Sequence, residues 1–376
     1  MTGKPVRRKV AAANLHWAIG QSPYDFAAFL KKFPKLNSWM DGSIKPTILQ
    51  LKKFADYADV PVGYLLLNRI PSSNVEKIPD FRAIGDEVPN EKEWSYGLRK
   101  TLELTRSKME WISEYRKINE CEPINFWGQY SLADSVDTVV EGALGILNLP
   151  FDWCVKETTK DKVFKYLRTK IESIGIIVLV SGIVGNNTHL PLDVKEFRGF
   201  VLKDEYAPTI FINGADALTA RLFTLAHEFC HILIGEEGIG SKSESFCNSF
   251  AAKFLVPQQL FAESWEEMPE DYSALSKKFH VSQPVIYRVA NTYGYINDEE
   301  LRNLNREYYT RFTGMNSGGG NYYQNKVFSL GTVFGPAVIR AAQEGSLLFR
   351  DAYDMLGVNG RSFDSLVKQY EKGGTK

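Results

Sequence analysis

A chain of 376 residues is long enough for two or three domains, and 44% hydrophobic with 24% charged residues is the make-up of a packed protein, which excludes wholesale disorder. Equal numbers of basic and acidic residues, 45 of each, exclude a protein that coats nucleic acid by bulk charge. Cys121, Cys154, Cys230 and Cys247 form no C-x-x-C pair, no signal-type apolar run opens the chain, and the most apolar stretch, 174–185, is too short to span a bilayer; the expectation is a cytoplasmic protein with no membrane partner.

Residues 1–70 are expected to form a small helical domain. Within 1–60 there are ten Lys/Arg against four Asp/Glu, a surplus of +6 in a chain of zero net charge, and Lys4, Arg7, Arg8 and Lys9 form a basic arm. Apolar periodicity predicts short helices over 25–30, 34–39 and 46–57. With Trp39-x-x-Gly42-x-x-x-Pro46 inside it and Val60-Pro61-x-Gly63-Tyr64 after it, this stretch resembles an XRE-type helix-turn-helix, in a degenerate form compressed at Lys31-Lys32-Phe33-Pro34. The resemblance implies DNA contact, for which Lys35, Asn37 and Lys45 are the candidates. A remnant bundle kept for protein contact is an equal reading, and a solvated basic face is the plain meaning of the charge count.

Residues 71–150 are read as a helical connector. It opens with a Pro71-Ser-Ser-Asn74 linker and the segment Ile78-Pro79-Asp80-Phe81-Arg82, a docking candidate with no chemistry of its own. One long amphipathic helix is predicted from Glu93 to Asn119 and another from Ser131 to Leu147.

Chemistry enters in residues 151–300. A helix from Lys160 to Ser173 leads to a buried strand at 174–180, and 197–202 with 208–213 reads as an antiparallel hairpin, whose edge could accept an extended peptide. Then comes Leu225-Ala-His227-Glu228-Phe-Cys-His231-Ile-Leu233. On a helix, histidines four apart face the same side, and Leu222, Leu225, Phe229 and Ile232 supply the apolar stripe that buries the helix beside them. Two imidazoles and an intervening carboxylate are the elements of a hydrolytic zinc site, which needs one more protein ligand and an open position for water. Glu244, in the first turn of a second helix that Pro257 ends, is the candidate for that ligand; alternatively it closes a capping box with Ser241. Gly235 to Gly240 is then the turn between the helices.

His227-Glu228-x-x-His231 followed by Glu244-Ser-Phe-Cys-Asn248-x-Phe-Ala-Ala252-x-Phe-Leu-Val-Pro257 resembles the ImmA/IrrE-like zinc metallopeptidases. Matched position by position, the resemblance implies that His227, His231 and Glu244 hold Zn2+ and that Glu228 is the general base. Cys230 departs from the pattern, which often has glycine there. The fold expected is α+β, mostly helical: a zincin-like peptidase core with a small antiparallel or mixed sheet, preceded by the helix-turn-helix-like domain. The oxyanion-stabilising group is open among Tyr206, His280 and Tyr287. Cys230 and Cys247 lack a base other than the metal-binding histidines.

Beyond this core, 274–296 reads as helix, turn and helix packed against the peptidase, with His280 as a turn residue. Residues 301–376 are expected to be a Gly-rich hinge, around Ser317-Gly-Gly-Gly320, and a C-terminal module of two helices over 337–370. The function that the resemblance implies is zinc-dependent cleavage of a regulatory protein, either a repressor or a component of a toxin–antitoxin pair. The alternative is a non-proteolytic antitoxin or transcriptional regulator that uses the peptidase fold as a platform.

Overall fold

The computed structural model describes residues 6–67, 94–235, 241–311 and 322–373. Its contacts define a small unit, residues 1–78 with 94–97, and a large unit holding the remainder. The fold is α+β and mostly helical, and the described residues form a three-stranded mixed sheet and a two-stranded hairpin.

The small unit contains α1 (Ala12–Gln21), α2 (Phe26–Lys32), α3 (Leu36–Met40), α4 (Ile48–Ala58) and α5 (Val62–Leu65). Leu15, Phe29, Trp39, Leu51 and Phe54 fill its core. Asp25 caps α2 by accepting from the Ala28 N–H, and Thr47 with Gln50 forms a reciprocal capping box at α4. The sequence reading finds α2, α3 and α4 and misses α1, because Ala11 offers no side-chain cap to mark its start. Tertiary contact stabilises α1 instead. Its Asn14 is buried, and Nδ2 donates to Leu67 O at 2.7 Å and lies within 3.4 Å of Tyr64 O and Leu65 O, which clamps the end of the unit. The basic arm is also not free. From Val6 it runs beside the start of α4, with Arg8 N–H to Pro46 O at 3.0 Å, Ile48 N–H to Val6 O at 3.1 Å and Arg7 Nη1 to Lys45 O at 2.8 Å. Lys4, the 71–74 linker, the 78–82 segment, the 236–240 turn and the Ser317–Gly320 hinge lie outside the described residues.

Next comes α6 (Tyr96–Ile118), the long helix expected from Glu93. The large unit continues with α7 (Val136–Ile146), α8 (Trp153–Lys156), α9 (Lys160–Ser173), β1 (Ile177–Ser181), β2 (Ile183–Val184), β3 (Asn187–Pro191), β4 (Gly199–Leu202) and β5 (Thr209–Asn213). Helices α10 (Leu218–Ile234), α11 (Ser241–Leu255), α12 (Gln258–Glu267), α13 (Tyr272–Lys278), α14 (Gln283–Thr292) and α15 (Asp298–Arg311) follow. The chain ends with α16 (Tyr322–Leu330), α17 (Phe334–Gln343), α18 (Phe349–Leu356) and α19 (Gly360–Gly373). Among the described residues no helix is long and apolar enough to cross a membrane.

The sheet order is β1-β5-β4, with β5 parallel to β1 and antiparallel to β4. Because strand side chains alternate, Val178, Val180, Ile210 and Ile212 enter the core shared with α9, α10 and α11, while Leu179 and Phe211 face the other way. Helix α16 also packs on β1. A buried ion pair ties this end of the chain to α9. Glu172 meets Arg168 Nε at 3.3 Å and accepts from Thr332 Oγ1 at 2.8 Å, while the Arg168 guanidinium donates to Phe328 O and Val178 O. The C-terminal stretch holds three helices where two were expected. The chain breaks at the positive φ of Gly345 and turns again at Gly357, which ends α18 in the left-handed region.

Candidate metal centre

Helix α10 has no side-chain cap at Ala217 and is held by burial: every residue from Leu222 to Ile234 is out of solvent. Such a helix end must have its last carbonyls satisfied. Gly128 N–H donates to Ile232 O at 3.0 Å and Tyr130 N–H to Leu233 O at 2.9 Å, and the helix closes on Gly235 at φ 67°. A β-carbon at Gly235 would stand 2.6 Å from Gly128 Cα, so the two backbones meet where only glycine fits. The chain position of Gly128, a hundred residues before the motif, offers no signal of this role.

One turn apart on α10, His227 and His231 bring their Nε2 atoms to 3.1 Å. Glu244, in the first turn of α11, points both carboxylate oxygens at them, Oε1 at 3.0 Å from His231 Nε2 and Oε2 at 3.3 Å from His227 Nε2. These separations suit a single small ion, since tetrahedral ligands bonded at about 2.0–2.1 Å lie ~3.3 Å from one another. The three residues are the group among the described residues whose donor atoms could share a metal.

The electrostatics favour a cation. Burial alone would raise the carboxyl of Glu244, but hydrogen bonds and charge from His227 and His231 more than offset it and hold the group well below the usual carboxylate range. Burial alone would lower His231; contact with Cys247, Glu244 and Glu228 outweighs that and holds it well above its ordinary value. Cys247 and Cys230 are both fully buried and in mutual contact, and burial followed by the Cys230 thiol pushes Cys247 up, so it packs as a neutral thiol against His231.

Glu228 is buried beside the edge strand β4. A β-carbon at Gly199 would come within 3.1 Å of Glu228 Oε1 and 2.6 Å of Thr224 Cγ2. Gly199 therefore lets the strand approach this carboxylate, a role the sequence reading missed, although a glycine inside an otherwise apolar strand is the signal for close backbone approach. The Tyr206 ring lies under Lys117, His280 sits in a left-handed turn with Nε2 donating to Glu157 O at 2.9 Å, and Tyr287 donates to Gln283 Oε1 at 2.9 Å. In the small unit Lys35, Asn37 and Lys45 are all exposed, and Lys35 lines an open groove with Phe33, Trp39 and Tyr57.

A helix-borne His, His, Glu cluster packed against a small mixed sheet is an arrangement for holding a divalent cation next to a buried carboxylate. Residues 186–289 match the family model of the IrrE N-terminal-like domain, peptidase family M78. The matched stretch holds β3 to α13 and most of α14, and with them all four motif residues, and it supports an ImmA/IrrE-like assignment for this region. Residues 330–369 match a domain of unknown function, DUF8813. No curated protein matches the chain.

Proposed function

We propose that the protein is a zinc-dependent endopeptidase that cleaves a regulatory protein, a repressor or a component of a toxin–antitoxin pair. The observation that carries this reading is the convergence of His227, His231 and Glu244 within 3.3 Å of one another, with Glu228 buried on the same helix and set against an edge strand. Zinc held by these three residues would supply a Lewis acid for a peptide carbonyl and for water. Glu228 takes the proton of the attacking water and delivers it to the leaving amine. Among the described strands β4 is the outer one of its sheet, and an extended substrate laid along it would pass next to the Glu228 carboxylate. The low pull of Glu244 on protons keeps it ionised for the cation.

Two measurements test this reading. Metal analysis should find one zinc per chain, with Glu244→Ala losing at least ~10²-fold in affinity. Incubating the zinc-loaded protein with the product of the neighbouring gene should release fragments visible by mass spectrometry, and none with Glu228→Gln. Tight partner binding without any fragment would instead favour the platform reading, in which the protein is an antitoxin or transcriptional regulator. The observation on that side is the small unit with its own core and exposed Lys35, Asn37 and Lys45, which we propose contacts DNA or the partner protein through residues 1–70.

A further inference from the structure

Leu179 of β1 and Phe211 of β5, which face away from the metal-centre core, form the apolar floor of a second cavity of about 230 Å3. Its walls come from α6, the β2–β3 turn, α16 and the end of α18, so part of it belongs to the 330–369 stretch of unknown function. Two ammonium groups enter it, from Lys108 on α6 and Lys326 on α16. Neither has a carboxylate within 4.0 Å among the described residues. Lys326 Nζ donates to Asn186 Oδ1 at 2.5 Å, and Lys108 Nζ lies 5.5 Å from the centroid of the Phe334 ring. Asp354 contributes to the lining but is exposed.

Two further features mark the cavity as built for a ligand. Burial lowers Lys108 to about 8, with Lys326 adding repulsion, and burial lowers Lys326 to about 8 as well. Two like charges held in one half-buried cavity weaken the fold unless something negative joins them. Thr101, which lines the same cavity and is only 4% exposed, has a buried hydroxyl with no hydrogen-bond partner among the described residues. All three residues line one cavity, and an oxyanion offers a counter-charge to the two ammonium groups and an acceptor to the hydroxyl.

We infer that this cavity binds a small phosphomonoester, whose dianionic group is held by Lys108, Lys326 and the Thr101 hydroxyl while its short carbon body rests on Leu179 and Phe211. The charge decides the class: a carboxylate neutralises one ammonium and leaves the other uncompensated, whereas a phosphomonoester of charge about −1.5 to −2 matches both. Lysine suits this role as a compact point charge that gathers phosphate oxygens. The size of the cavity admits a phosphate with a ring or short chain and excludes a polymer.

Thermal melting and titration calorimetry of the full chain with phenyl phosphate, inorganic phosphate and benzoate, each against chloride at equal ionic strength, test the inference. Phenyl phosphate should raise the melting midpoint in a concentration-dependent way. Its affinity should fall by about 10-fold or more in both Lys108→Met and Lys326→Met. Removing either like charge relieves repulsion, so the variants should melt no lower than the unsubstituted protein, which separates lost binding from lost folding; Lys108→Gln and Lys326→Gln repeat the comparison with a polar side chain. No midpoint shift with phenyl phosphate beyond that of chloride, or equal affinity in the Lys variants, overturns the site. Benzoate binding as tightly as phenyl phosphate overturns the dianion, and inorganic phosphate binding as tightly overturns the organic body.

Discussion

The two faces of the sheet in the large unit both hold charge away from water, and they do so in opposite ways. On the α10 face, imidazoles meet a carboxylate, and the contacts of Glu244 with His227 and His231 lower the one acid and help to raise His231. On the far face, Lys108 and Lys326 meet each other, and both are pushed down. The first cluster helps to hold α11 on α10 and has the donors to take a cation. The second is tolerated only because packing from several elements fixes it, and it gains stability when an anion enters. Ligand binding should therefore matter more to the stability of the far face than its small size suggests.

The largest effect expected from breaking the near face is chemical. Glu228→Gln keeps the shape of the side chain and removes the proposed base, so the proposed cleavage of a protein substrate should fall by ~10²–10⁴-fold with metal content unchanged. Activity within a factor of two of the unsubstituted protein would sink the general-base role. Next is the brace between the faces. Glu172→Ala leaves the Arg168 guanidinium buried without its acid and removes the acceptor of Thr332, which should cost about 3 kcal/mol in denaturant unfolding. If it costs less than ~1 kcal/mol, the tie between α9 and the start of α17 is incidental.

Gly199 tests how closely β4 must approach α10. Gly199→Ala inserts a β-carbon 2.6 Å from Thr224 Cγ2 and 3.1 Å from Glu228 Oε1, and should lower activity by ~10-fold while leaving zinc in place. Adding Thr224→Ser, which deletes the offending methyl, should restore part of the loss. No recovery in the double variant would show that the damage lies in the strand pairing with β5 rather than at Glu228.

The near face was legible because its residues are close in sequence and repeat at helical spacing. His227, Glu228 and His231 fall within five consecutive positions, and Glu244 stands in the first turn of the next helix, so helix geometry alone places three of the four. Helix α9 was read at its observed bounds, Lys160 to Ser173; the structure adds Thr159 as its cap. Gly199 carried a weaker signal, and α1 carried almost none, since Asn14 anchors it through carbonyls fifty residues away. The lysine cavity was illegible for the same reason in stronger form. Lys108, Asn186, Lys326 and Gly357 are separated by long stretches of chain, and no spacing rule links residues that meet only through the packing of α6, α16 and α18 onto one sheet. Local periodicity reports which face of an element is apolar, and it is silent on which distant polar group that face will meet.

The smallest expected effect belongs to the far face and is read by pH. Lys108 titrates at about 8 in the folded chain against an ordinary 10.5, so between those values the unfolded chain binds the proton that the folded chain has released. Stability therefore carries the full penalty below pH 8 and recovers as pH rises towards 10.5. Buried tyrosines act against this near the top of the window. Burial pushes Tyr293 and Tyr370 well above their ordinary 10.0, so the unfolded chain loses those protons first and stability falls. The cleaner quantity is the difference between the unsubstituted protein and Lys108→Met, in which the tyrosines cancel. Lys108→Met should have the higher melting midpoint at pH 7, by ~2 °C or more, and the gap should close as pH rises from about 8 to about 10. A gap that does not change with pH would mean that methionine improves packing and that the Lys108 charge is no burden, which removes the electrostatic contrast between the two faces.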